Sequence, residues 1–379
     1  MKNFIKIFIQ DRIFSIKNEN YHKVISILGI KFKFVSCKKI ISKLHRYENY
    51  RNFYEKMNDK YAIDCELYRP HVVDWFESFK YYALQNNMVE KIKLLKRGLN
   101  LESNFVIDLF LSRMMLLPDC SICEDFLLSK HLINNSYTEW EKDTEEKYKK
   151  LLPKIEKEFN LLGNKFLVET FFFHNGLYFC NEKQKSYIKN KDFIDGGAWI
   201  GDSVLVFEKY YNPRKTYSFE VSKKLAKQYL EVMSLNNIDK NKYELVLGGL
   251  SDKSSVINFN DTADTGTSVL SSGKDEVELI SIDEFVKLKK LNIGFLKIDV
   301  EGHAYEAIDG AKEVIKRDRP IICVAVYHSP HEFFDTKPLL DKIVRDLNYK
   351  IEFKQMQYRP YLLIEYVLFA YPAELEYKM

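Results

Sequence analysis

The carboxy-terminal half of the sequence predicts an α/β fold, a mainly parallel sheet covered by helices on both faces. Three observations predict it. From about residue 166, short β-rich runs alternate with helical ones. The first of these strands ends in an acid followed by glycines, in "DFIDGGAWIGDS" at 192–203. The strands after it also end in chemistry-bearing residues, which is where an open α/β sheet binds its ligands.

Residues 1–60 form the first segment, a basic β/α leader. "HKVISILGIKFKF" reads as two short strands turned at Gly29, because β-branched and aromatic residues flank the glycine. This segment holds fourteen Lys/Arg against five Asp/Glu, a charge of +9 that leaves −5 on the remainder of a +4 chain. Three readings suit such a basic end: peripheral contact with an anionic membrane surface, contact with nucleic acid, or a solvated face. The first two remain readings of charge alone, and nucleic acid is not expected as a partner.

Residues 61–165 read as a helical region. "VVDWFESFKYYALQNNMVEKIKLLKRGL" and "SNFVIDLFLSRMMLL" repeat apolar residues at three- and four-residue spacing, with Ser103 as the expected N-cap. "YTEWEKDTEEKYKKLLPKIEKEFNLL" is a charged helix that Pro153 is expected to interrupt.

Residues 166–379 carry the alternation. "KDFID" leads to "SVLVFEKYY", "KTYSFE" to "SKKLAKQYLEVMSLNN", and "YELVLG" to a longer insertion. "IGFLKID" leads to "AYEAIDGAKEVIKRD", and "PIICVAVYH" to "TKPLLDKIVRDL". No helix separates "YKIEFKQ" from "LLIEYVLFAYP", so these close the sheet as an antiparallel hairpin.

Composition bounds the class. A hydrophobic fraction of 46% with 30% charged residues is that of a soluble globular chain. No apolar run is long enough to span a bilayer, and "FIKIFIQ" is too short for a signal-peptide core. Six cysteines in 379 residues do not make a disulfide framework, so reduced thiols and a cytoplasmic protein are expected. Cys120 and Cys123 have the spacing of half a zinc site, but no second pair follows.

An acid just before the first glycine is wrong for a dinucleotide. Pyrophosphate needs G-x-G-x-x-G, whereas here Asp195 precedes Gly196 and Gly197, and Gly201 comes only after "AWI". An ammonium ligand suits Asp195 better. S-adenosylmethionine presents an ammonium and a sulfonium, and glycines would let the backbone pass its methionine portion. Glu220, 25 positions on, ends the second strand and could take both ribose hydroxyls. Gly249 and Leu250 would face adenine, with Asp252 near its exocyclic amine. With Gly197, Gly201, Asp202 and Ser203 these complete the expected cofactor set.

The set of motifs resembles the FkbM-type S-adenosylmethionine-dependent methyltransferases over roughly residues 170–371. It rests on "DFIDGGAWIGDS", "YSFEVS", "LKIDVEGHAYEAIDGAKEVIK", "VYHSPHEFF" and "EYVLFAY". The resemblance implies the class I methyltransferase fold, a Rossmann-like seven-stranded sheet of order 3-2-1-4-5-7-6, and methylation of sugars or secondary metabolites. The sequence departs from the family at His303 and Tyr305, where "EGAE" is usual, and the second acid moves to Glu306.

Methyl transfer to oxygen needs a held acceptor hydroxyl and a proton acceptor. Lys297, Asp299 and Glu301 alternate at the end of the fourth strand and so would share a face. Lys297 and Asp299 are the catalytic candidates there, and Glu301 is a substrate-binding one. His328 follows the fifth strand, where an imidazole of pKa about 6.5 would serve as general base. Tyr327 and His174 would line the acceptor and cofactor pocket. Asp299, Glu301 and His328 leave open a divalent cation. The expected substrate is a sugar hydroxyl of a bacterial surface glycan or its precursor. The competing readings are a nucleotide-sugar enzyme and a non-catalytic cofactor-binding module that docks to partners or a membrane.

Overall fold

The computed structural model describes residues 82–114, 137–259, 274–359 and 363–376, with 78–79 and 261, and the backbone of three strands within 14–35. Those strands, β1 (Phe14–Glu19), β2 (His22–Ile27) and β3 (Ile30–Val35), form an antiparallel sheet. Ile27 pairs with Ile30 across the expected turn. The basic side chains expected to touch a membrane lie outside the described residues, as do Cys120 and Cys123.

Three helices follow: α1 (Met88–Lys96), α2 (Leu101–Met114) and α3 (Glu139–Glu158). The N-cap expected at Ser103 falls instead on Asn100, whose side chain accepts from Ser103 N at 2.8 Å. Ser103 lies one turn inside α2, fully buried. Pro153 does not interrupt α3. Thr138 and Glu141 open α3 with a reciprocal capping box. Glu141 also receives a two-pronged ion pair from Arg113 of α2 at 2.6 and 2.8 Å, with both side chains out of water.

The remaining elements build one sheet and its cover. After the short α4 (Val168–Phe171) and α5 (Glu182–Ile188) come β4 (Asp192–Gly196), α6 (Asp202–Tyr210), β5 (Thr216–Glu220), α7 (Lys223–Leu235) and β6 (Tyr243–Leu247). Next are β7 (Gly249–Leu250), β8 (Ser255–Phe259), β9 (Asp275–Ile280) and α8 (Ile282–Lys289). The chain continues through β10 (Ile293–Ile298), α9 (Ala304–Asp309), α10 (Lys312–Asp318) and β11 (Ile321–Ala325). It closes with α11 (Pro330–Ile343), β12 (Tyr349–Gln355) and β13 (Tyr366–Pro372).

The seven-stranded sheet has the order β12-β13-β11-β10-β4-β5-β6. Renumbered along the sheet this is 6-7-5-4-1-2-3, the expected class I methyltransferase order. Every residue of β4, β5, β10 and β11 is buried, as a parallel sheet with helices on both faces requires. The last two strands pair antiparallel. β7, β8 and β9 form a separate small sheet within the insertion.

β12 is an edge strand, and an uncovered edge would leave its amides unpaired. Helix α2 lies against it, and the Ser103 hydroxyl accepts from Phe353 N at 2.9 Å. Gln355 of β12 reaches Glu141 at 2.9 Å. The helical region thereby closes the sheet where the ladder stops. Among the described residues no helix is long and apolar enough to cross a membrane. Ser103→Ala should strand the Phe353 amide and cost about 1–3 kcal/mol in urea unfolding, because a buried donor is left unmade. An unchanged midpoint would show that the hydroxyl does not seal the edge.

Candidate active site

Asp195 and Lys297 are direct partners across the parallel pair β4–β10. Their side chains therefore leave the sheet on the same face. The Lys297 ammonium lies 3.2 Å from Asp195 Oδ1 and donates to Gly196 O at 3.2 Å and to Gly197 O. Two of its donors go to those carbonyls, while the contact with Asp195 is an ion pair without a hydrogen bond. Asp195 Oδ2 accepts from Ser218 Oγ at 3.2 Å, and Ser218 Oγ accepts from Tyr229 OH at 3.1 Å. Burial pushes the Asp195 carboxyl up, against the pull of Lys297. Burial works the other way on Lys297, but Asp195, Asp299 and Asp202 outweigh it and hold the ammonium charged. The two ends form an internal pair.

The clamp shapes the loop above it. Gly197 has φ +77°, and a Cβ there would sit 1.8 Å from Asp299 O. Only glycine lets the β4–α6 turn lie that close to the end of β10. Gly201, at φ +84°, caps α6 and faces Tyr229, where a Cβ would come within 2.7 Å of the ring. Beside this turn a cleft runs along the carboxyl ends of the strands.

One end of the cleft is lined by Gly197, Asp202, Ser203, Glu220, Gly249 and Leu250. Glu220 is held from behind, its two oxygens accepting from Trp199 N at 2.9 Å and Ser222 N at 2.8 Å. Burial pushes its pKa up to about 7. Asp202 opens α6, accepts from Ser203 N at 2.9 Å, and is pushed up by burial to about 6.

The other end is lined by Asp299, Glu301, Tyr327 and Glu365, and Glu169 lines the cleft within reach of both Asp202 and Asp299. Behind them lies His328, whose side chain is 5% exposed. Its Nε2 is 3.4 Å from Asp299 Oδ1 and 3.6 Å from Glu301 Oε2, and its Nδ1 is 3.1 Å from Glu332 Oε2. Burial alone would lower its pKa, but Glu301, Glu332 and Asp299 raise it to about 10. Glu301, at φ +48°, is raised by burial to about 8 although His328 opposes the shift.

The comparisons with known proteins agree with this geometry. A search of curated proteins finds no match. Residues 195–351 match the methyltransferase FkbM domain. The chain carries an FkbM-type methyltransferase domain. A crystal structure of methyltransferase FkbM from Methylobacillus flagellatus KT is similar at 13% identity, with a TM-score of 0.52. The match covers 91% of this chain and 79% of that one, which shows a shared fold. A rRNA methylase from Streptococcus thermophilus matches at 11% identity and a TM-score of 0.32, over 50% of this chain and 90% of that one.

In this methyltransferase several expected site residues stand elsewhere than the sequence suggested. Asp195 does not line the cleft; its ammonium partner is Lys297 of the same chain. Lys297, expected as catalytic, does line the cleft, where it donates to the Gly196 and Gly197 carbonyls and pairs with Asp195. Gly201 and Asp252 do not line the cleft, and Asp252 is exposed and accepts from Ser251 Oγ at 3.1 Å. His174 packs on Tyr210 and meets Tyr211 OH at 2.7 Å, while its neighbour Asn175 reaches the cleft. The free imidazole expected at His328 is instead flanked by three carboxylates. Asp299, Glu301 and His328 meet as an ion-paired cluster, and no group of described residues is placed to hold a metal ion.

Other cleft residues were not anticipated. Glu332 fixes His328 and also accepts from Ala304 N at 2.8 Å, tying α11 to the start of α9. Its signal was the i, i+4 spacing within "HSPHE". His303, the family departure, lines the cleft and bonds Ser251 Oγ at 3.0 Å through Nε2. Glu169 and Glu365 carried no sequence signal. If Lys297 acts as a clamp, Lys297→Met should cost about 3–5 kcal/mol of folding stability, and adding Asp195→Asn should recover part of it. A double-mutant cycle in urea checks this; full stability with only turnover lost would return Lys297 to the chemistry.

Proposed function

We propose that this methyltransferase transfers a methyl group from S-adenosylmethionine to a sugar hydroxyl, in a bacterial surface glycan or its precursor. The observation that carries the reading is the division of one cleft into two ends. The Glu220 end offers a carboxylate at the tip of the second strand and a close-approach glycine turn. The Asp299 end offers a dense set of hydrogen-bonding groups for a hydroxylated acceptor. The residues present fit the cofactor: Glu220 suits ribose hydroxyls, Gly249 and Leu250 an adenine, and Gly197, Asp202 and Ser203 the methionine portion. Bound there, the cofactor supplies an electrophilic methyl on a sulfonium.

The chain's own groups must orient the acceptor hydroxyl and take its proton. His328, raised to about 10 by its acidic neighbours, stays protonated across the range in which Glu301, raised to about 8, ionises. It fixes Asp299 and Glu301 from behind, and Glu301 is the group proposed to take the proton. Tyr327 walls the acceptor end and donates to Glu365 at 2.7 Å. The reaction is proposed to run in the cytoplasm, a setting that the free buried thiols of Cys180 and Cys323 suit.

A proton acceptor must be ionised, so turnover should fall as pH drops through the Glu301 value of about 8. His328→Gln removes a stabilising positive charge, which should move that limb to higher pH and cut turnover by about 100-fold or more. Cofactor affinity should not change. A pH profile that is flat between 6 and 9, or unmoved by the substitution, would exclude the assignment. The function itself is tested by calorimetric titration with S-adenosylhomocysteine, with NAD and a nucleotide sugar as controls. Saturable binding of S-adenosylhomocysteine alone supports the reading, and binding of either control in its place overturns it.

A further inference from the structure

The acceptor end of the cleft holds more carboxylates than the chain's cations pair with. Lys297 is ion-paired with Asp195 and donates to two carbonyls. His328 is engaged by Glu332, Asp299 and Glu301. That leaves Glu169 and Glu365, which both line the cleft and form no ion pair among the described residues.

Glu365 is the better defined of the two. It is 6% exposed and stands at φ +61°, a left-handed conformation that a non-glycine residue adopts at a cost. Its backbone carbonyl accepts from Met356 N at 2.8 Å, which anchors that conformation. Oε1 accepts from Tyr327 OH at 2.7 Å, and Oε2 takes no hydrogen bond from the described residues. A nine-tenths buried carboxylate is thus fixed at one oxygen and left open at the other, in a wall of the cleft. Burial pushes the Glu365 carboxyl up, and Glu169 pushes it further. Glu169 is itself raised by burial, with Asp202 and Asp299 adding to the shift.

We propose that Glu365 and Glu169 form a subsite for a protonated amine, so that the preferred acceptor is an amino sugar whose amine is not acylated. The proposal rests on methyl transfer to a sugar hydroxyl and names the class of that sugar. An ammonium has three donors and no acceptor, which matches oxygens that have no donor of their own. Charge-assisted hydrogen bonds of this kind are about twice as strong as neutral ones. A uronate or a phosphorylated sugar would place like charge against both carboxylates. A divalent ion is a poorer occupant, because no group of three or more described His, Cys, Asp or Glu is arranged around one point.

The test uses the full-length protein saturated with S-adenosylhomocysteine, titrated calorimetrically with methyl glucosaminide and methyl N-acetylglucosaminide. The free amine should bind about tenfold or more tightly than the acetylated sugar. Glu365→Gln and Glu169→Gln should each abolish most of that preference and leave the affinity for S-adenosylhomocysteine unchanged. Glutamine at 365 still offers Tyr327 an acceptor oxygen, and a thermal melt confirms that the variant folds. Equal binding of the two sugars, or a preference that survives both substitutions, would overturn the proposal. So would amine binding that appears only with added magnesium or calcium, which assigns the carboxylates to a metal. Failure of S-adenosylhomocysteine itself to bind is read first; it removes the methyl-transfer reading and the subsite with it.

Discussion

The cleft depends on one buried ion pair. Asp195 and Lys297 come from strands about a hundred residues apart and meet because the parallel register sets them side by side. Isolated, either charge would be costly at that depth. Together they do more than cancel, because the ammonium reaches past its partner to the carbonyls of Gly196 and Gly197. The lysine thereby fixes the turn that leads into α6. Gly197 can then lie against Asp299 O, and Asp202 and Ser203 are brought to the cleft wall. A buried pair of this kind contributes little net stability compared with apolar packing. Its contribution here is to position a glycine-rich loop that has few side chains with which to position itself.

A second charge network supports the opposite wall, by a different route. His328 and Glu332 lie one turn apart at the start of α11, and Glu332 also caps α9 through Ala304 N. That carboxylate joins two helix starts and an imidazole, so the loops after β10 and β11 are held in one arrangement. The left-handed conformation of Glu301 falls on the first of these loops, and those of Trp199 and Glu365 on the neighbouring segments after β4 and before β13. Strain of this sort persists only where the surroundings over-determine it. The two networks supply that determination from both sides of the cleft.

The sheet was legible in the sequence because its signal is local. Apolar runs of five or six residues alternating with amphipathic helices specify a parallel sheet, whichever residue each strand ends on. Part of the cleft lining was legible for a related reason: Gly197, Asp202, Ser203, Glu220, Gly249 and Leu250 lie at or just beyond strand ends, and all reach the cleft. What failed was partner choice. An acid before glycines asks for an ammonium, and the sequence cannot say that the ammonium comes from Lys297. Ser103 misled in the same way: its hydroxyl serves Phe353 N, some 250 positions away, rather than its own helix. Glu365 was hidden inside what reads as the strand "LLIEYVLFAYP". The strand begins only at Tyr366, and the left-handed turn before it directs Glu365 to the cleft.

The charge inventory limits what the site can accept. At the Glu220 end, the acids suit the net positive charge of the proposed cofactor. At the far end, His328 offsets part of the negative charge of Asp299 and Glu301 and acts more weakly on Glu365, while Lys297 acts on Glu169; neither of these two glutamates forms an ion pair among the described residues. A site that kept those two only as structural elements would gain by replacing one with glutamine, since that removes mutual repulsion and keeps the hydrogen bond from Tyr327. Such a change costs function only if a ligand brings the missing charge. The positive end of the acceptor, rather than its hydroxyls, is then what distinguishes it from the many sugars that would otherwise fit.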